Sequence, residues 1–260
     1  MQRSVQRINS QKVERSLGLL LLALSLCLEL QAQTDPPRGP DSTTRSIIPG
    51  IDVLPYPNLP FSANDTVVRT QLIAGGTVTI SETAKVFRDS QGKVYRERHR
   101  YAPQGVDPEK TIYEFYILDP VAHTHTTCTI ATHQCDITNY YPQLSFKPMP
   151  AGSFDNGKQF LARVSLGQQS IDDLLTIGTR ETTTISPQAF GNDRTMTLTR
   201  EFWYSPDLKT NLVVTRSDPR EGTVAIHLKV LSRTEPDPGV FAIPPEYTVH
   251  DARPPAQRLQ

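Results

Sequence analysis

Residues 77–88 (TVTISETAKVFR) change character at every second position. Val78, Ile80, Ala84 and Val86 fall on one side, and Thr77, Thr79, Ser81 and Thr83 on the other. A period of two belongs to a strand with one face packed and one face wet, and no helix reproduces it. Asp89-Ser90-Gln91-Gly92 follows, a type I turn whose Gly can take positive φ, and residues 93–101 return as the partner strand. A three-residue loop sets Lys85 opposite Glu97, Glu82 opposite Arg100 and Phe87 opposite Tyr95. Opposed charges and paired aromatics make this register self-consistent.

The same grammar continues to the end of the chain. Residues 111–118, 124–130, 135–140, 160–164, 169–171, 174–185, 196–204, 212–216 and 224–231 read as strands with turn residues between them. No window carries an apolar stripe at helical spacing over three turns, so helices are few and short. The expected fold is mainly β: a single curved antiparallel sheet, or open half-barrel, of about ten strands.

Residues 61–250 form this β-rich domain, and 251–260 read as a disordered tail. Upstream, Arg3, Arg7, Lys12 and Arg15 stand against one acid, Glu14, and precede the apolar block of residues 17–28 (LGLLLLALSLCL). With the small residue Ala32, residues 1–32 read as a secretory signal peptide, which places the protein in the periplasm or outside the cell. The block is shorter than the roughly 20 residues of a membrane span, so nothing spans the membrane after signal removal. Residues 33–60 contain Pro36, Pro37, Pro40, Pro49, Pro55, Pro57 and Pro60, and are expected to be a disordered linker without helix or central strand.

Basic and acidic residues number 27 each, so no net field favours nucleic acid as a partner. The G-x-S-x-G, H-E-x-x-H, P-loop and G-x-G-x-x-G motifs are absent, and no cofactor is implied. Whether the chain is an enzyme stays open, with the balance toward no.

Three places hold chemistry. Arg96, Arg98 and Arg100 alternate onto one face about 7 Å apart. They form either a contact for phosphate or carboxylate groups or a solvated outer face. Residues 119–136 hold His123, His125, His133, Cys128 and Cys135. His123 and His125 share a strand face. If Cys128 and Cys135 lie opposite each other, Thr127 faces Asp136 on the histidine side, and a zinc or copper site of His123, His125 and Asp136 becomes geometrically open. Polar, exposed histidines are the alternative. Cys128 and Cys135 flank six residues, a length that turns one strand into the next, and in an oxidising compartment they are expected to form a disulfide.

The segments Gly178-Thr179-Arg180, Gly191-Asn192-Asp193-Arg194, residues 202–208 (FWYSPDL), Ser217-Asp218-Pro219-Arg220, residues 235–241 (EPDPGVF) and 243–249 (IPPEYTV) resemble a group of uncharacterised secreted bacterial proteins. That resemblance implies export and a β-rich fold. The WYSP turn and the closing F-x-x-P…Y segment are also similar to the lipoprotein-carrier (LolA-like) half-barrels. This similarity implies a lipid or another hydrophobic ligand held on a concave sheet face. The candidate lining is Val78, Ile80, Val86, Phe115, Ile117, Phe202 and Tyr204, with the choice of concave face left open by alternation. The leading reading is an exported, non-enzymatic binding or carrier protein. A metal-binding protein using His123 and His125, and an envelope structural protein, are the alternatives.

Overall fold

The computed structural model describes residues 50–100, 106–142, 144 and 148–254. The signal-peptide reading of 1–32, the linker up to residue 49 and the tail from residue 255 lie outside them. Thirteen strands follow one another: β1 (Phe61–Ile73), β2 (Gly76–Arg88), β3 (Val94–His99), β4 (Ile112–Asp119), β5 (Thr124–Thr129), β6 (Gln134–Asn139), β7 (Gly152–Phe154), β8 (Gln159–Ile171), β9 (Leu174–Ile185), β10 (Met196–Ser205), β11 (Thr210–Asp218), β12 (Gly222–Ser232) and β13 (Thr248–Asp251). They build one curved, open sheet in the order β13-β6-β5-β4-β3-β2-β1-β12-β11-β10-β9-β8-β7. Two meanders, β1–β6 and β7–β12, meet where β1 pairs with β12. Every pair is antiparallel except β13, which returns parallel to β6. Two 3-10 turns, Pro108–Thr111 and Pro238–Phe241, supply the helical structure among the described residues.

β7 and β13 are too short for alternation to show, and β1 is the long strand that sequence pattern does not reveal. Its inward positions are Phe61, Ala63, Asp65 and Val67, and the carboxylate breaks the apolar alternation although Asp65 is only 1% exposed. β8 reads as two fragments because a bulge between Ser165 and Gly167 shifts its phase, with Gly167 at φ 82°. The β2–β3 hairpin does place Phe87 opposite Tyr95, with ring centroids 5.8 Å apart.

Register assigns the side chains to two faces, each covered by the chain's own irregular segments. On one face, Phe61, Ala63, Val67, Val86, Val94, Leu212, Val214, Ile226 and Leu228 form the main core with Ile51 and Val53. Residues 50–60 therefore act as a strap. They have neither helix nor strand, as their prolines dictate, but the expected disordered linker is corrected from Gly50 onward, because Ile51, Val53 and Pro55 are buried. Gly92, at φ 86°, makes the close approach possible: a Cβ there would stand 2.6 Å from the Pro55 carbonyl oxygen.

Arg88 fastens the strap. It is fully buried, and its guanidinium donates to the carbonyls of Leu59 (2.8 Å), Leu54 (3.0 Å) and Leu208 (2.7 Å) while lying 4.8 Å from the Phe61 ring centre. Burial lowers its pKa to about 10.

The opposite face carries a second cluster, Phe115, Ile117, Cys128 and Cys135, covered by Phe241, Ile243 and Tyr247. Cys128 and Cys135 are directly opposed across β5 and β6 and joined by a disulfide. Replacing both with Ala is expected to cost roughly 2–3 kcal/mol through the lost constraint on the unfolded chain. Alkylation of denatured, unreduced protein with peptide mapping checks the bond. Both cysteines should stay unmodified, and labelling of both contradicts it.

Candidate functional site

β2 pairs with β1 along its whole length but with β3 only from Val86–Arg88 to Val94–Arg96. Beyond that point the two strands part. The Lys85 N–H, which a continued ladder would give to a β3 carbonyl, donates to the Glu97 carboxylate at 2.8 Å. The expected pairing of Glu82 with Arg100 is not formed, because the ladder has already ended.

The gap opens on the strap face as a cleft of about 180 Å³. Glu82 and Ala84 of β2, Asp65 and Val67 of β1, Arg96 to His99 of β3, Tyr116 of β4, and Gly50 and Asp52 of the strap line it. At its floor Asp65 Oδ2 accepts from the Ile51 N–H at 3.0 Å and from the Arg96 guanidinium, which also donates to the Ile51 carbonyl. Gly50 is the residue that fits above this pair, since a Cβ there would collide with the Arg96 guanidinium and the Asp65 carboxylate. Burial pushes the Asp65 pKa up, and neighbouring Arg96 offsets only part of that rise.

Two of the lining residues each carry a buried polar atom with no hydrogen-bond partner among the described residues. One is Asp65 Oδ1 and the other is His99 Nε2. His99 is buried, its Nδ1 lies 2.8 Å from the Thr111 hydroxyl, and its Nε2 stays 3.6 Å from Glu97. Buried groups of this kind are normally satisfied.

The arginine row is divided. Arg96 is buried and ion-paired, which corrects the solvated-face reading for that residue and explains it: its partner is Asp65 of the unrecognised β1. Arg98 pairs with Glu114 at 3.1 Å and covers the Tyr116 ring at 5.0 Å, and exposed Arg100 covers Tyr113 at 4.2 Å.

The proposed apolar lining does not come together. Val86 faces Ala63 under the strap, with Phe202 at the margin of the same core, whereas Phe115 and Ile117 lie on the opposite face. The register runs Val86 to Arg96 to Tyr116, so the residues on either side of Tyr116 point away from Val86. Val78 and Tyr204 are exposed, and Ile80 is half-buried near the free end of β2.

His123, His125 and Asp136 do not converge either, and no group of three metal-ligating side chains does among the described residues. His123 sits in the turn before β5 at φ 53°, so strand alternation does not reach it, and its ring stacks on Tyr141. Asp136 is 3.0 Å from His250 instead.

His125, half-buried, meets Tyr116 edge-on at 5.6 Å. Burial first, and Arg98 second, hold its pKa below the ordinary 6.5. The unfolded chain therefore takes up this proton more readily, and stability falls as pH drops below 6.5. A His125→Gln variant should lose less stability across that window than the parent, read from denaturant midpoints at stepped pH. An unchanged slope would remove His125 as a contributor.

No protein-family model and no curated relative matches the sequence. Solved structures do resemble the fold. An uncharacterised conserved protein from Thermus thermophilus aligns over 75% of this chain and 92% of its own, at 12% identity and TM-score 0.37. MucB, solved with MucA from Pseudomonas aeruginosa, aligns over 74% and 58% at 12% identity and TM-score 0.38. A LolA superfamily protein from Nitrosomonas europaea aligns over 73% and 92% at 10% identity and TM-score 0.31. No helix among the described residues is long and apolar enough to cross a membrane.

Proposed function

We propose that this chain is a non-enzymatic binding protein of the bacterial envelope, exported by residues 1–32, whose ligand engages the strap face at the cleft between β2 and β3. The observation that carries this reading is that two side chains lining one cleft, Asp65 and His99, each hold a buried polar atom without a hydrogen-bond partner among the described residues. An unsatisfied buried polar group costs about 1–3 kcal/mol, and a ligand that satisfies it recovers that cost. Native mass spectrometry of protein recovered from its own cells tests the reading. A small-molecule adduct is expected on the parent and not on Ala84→Trp, which fills the cleft. An adduct retained equally by both proteins places the ligand elsewhere.

A lipid or acyl-chain ligand is the second reading, favoured by the exposed apolar side chains Leu175, Ile177 and Tyr204 of β9 and β10. Tyr204 pairs with Ile177 across the two strands, so both lie on one face. In the same spectrum, a lipid-sized adduct that survives Ala84→Trp supports this reading against the cleft.

A further inference from the structure

Resting on the cleft as the ligand site, we infer that the group it takes is a small organic cation, an ammonium or a guanidinium. Charge points this way first. Asp52, Asp65, Glu82 and Glu97 line the cleft against Arg96 and Arg98. Both arginines are already committed, Arg96 to Asp65 and the Ile51 carbonyl, Arg98 to Glu114. Among the described residues Glu82 has no ion-pair partner and Asp52 meets Arg216 only at longer range, so the charge lining the cleft stays negative on balance.

Hydrogen-bond chemistry points the same way. Asp65 is 1% exposed, its ionised carboxylate only accepts, and Oδ1 still lacks a donor. His99 is 4% exposed, its Nδ1 lies 2.8 Å from the Thr111 hydroxyl, and its Nε2 is an acceptor only in the tautomer that keeps the proton on Nδ1. A cation rich in N–H groups supplies the donor that Asp65 Oδ1 lacks. An anion brings acceptors alone and leaves Asp65 Oδ1 without a donor.

Size limits the ligand. A volume of about 180 Å³ is many times the roughly 10–15 Å³ that holds one water, enough for a guanidinium or a short alkylammonium. A bare metal ion fits less well, since no three ligating side chains converge among the described residues.

The test is an NMR titration of the purified protein with three probes: agmatine, which carries both cationic groups, succinate, and neutral N-butylacetamide. Agmatine is expected to shift the backbone amides of Asp65, Glu82, Arg98 and His99 saturably. Glu82→Gln should weaken its binding about tenfold, the scale of one charge-assisted contact. Asp52→Asn, at an exposed position, should weaken it in the same direction. Equal agmatine affinity in the parent and both variants overturns the inference. Succinate or N-butylacetamide moving these amides while agmatine does not overturns the cationic class but keeps the cleft. Silence from all three overturns both.

Discussion

Replacing Arg88 with Met is expected to lower the unfolding free energy by about 4 kcal/mol, because three carbonyls buried around one guanidinium lose their donors together. Methionine fills much of the space, so the loss reads hydrogen bonding more than volume. Lysine keeps the charge but offers no planar fork to reach Leu54, Leu59 and Leu208 at once, and Arg88→Lys should recover only a minor part of the loss. Urea unfolding gives the number. A loss below about 1 kcal/mol for Arg88→Met would show that the strap is held by apolar contact alone.

The second large effect separates three arginines that look equivalent in sequence. Arg96→Gln is expected to cost about 3 kcal/mol near neutral pH, since it leaves the Asp65 carboxylate buried with the Ile51 N–H as its remaining named donor. Arg98→Gln and Arg100→Gln, at partly exposed and exposed positions, should each cost below about 1 kcal/mol. The Arg96 loss also depends on pH. Burial already holds the folded Asp65 pKa above the ordinary 3.8, and removing Arg96 raises it further. In the window between those two values the folded protein keeps a proton that the unfolded chain has released. Lowering pH through that window therefore restores part of the variant's stability. Equal losses for the three variants, or an Arg96→Gln loss that grows on acidification, contradict this assignment.

Local pairing was legible in the sequence where both partners lie in one hairpin. Phe87 with Tyr95 and Cys128 with Cys135 each follow from turn length and alternation. Long-range partners were not legible. Asp65 looks like a break in a strand until Arg96 and the Ile51 N–H stand beside it, and Arg96 looks solvated until Asp65 does. Proline arithmetic correctly denied residues 50–60 a helix or strand, yet irregular backbone can still be core when a buried arginine satisfies its carbonyls, as Arg88 does here. The cleft follows from the early end of the β2–β3 ladder. Nothing in 77–101 marks that end except Glu97, whose side chain takes the place of a β3 carbonyl.

The proposed ligand site depends on β2 and β3 parting beyond Val86 and Arg96, and amide hydrogen exchange resolved by residue measures that parting directly. The Lys85 N–H points toward β3, so those of Thr83 and Ser81, two and four residues back, point the same way into the gap, while Ala84 and Glu82 donate toward β1. Exchange at Thr83 and Ser81 is predicted to be at least about a hundredfold faster than at Ala84 and Glu82, the contrast between open and paired amides in one strand. Protection at Thr83 equal to that at Ala84 would mean that the two strands are zipped together and that there is no cleft to fill.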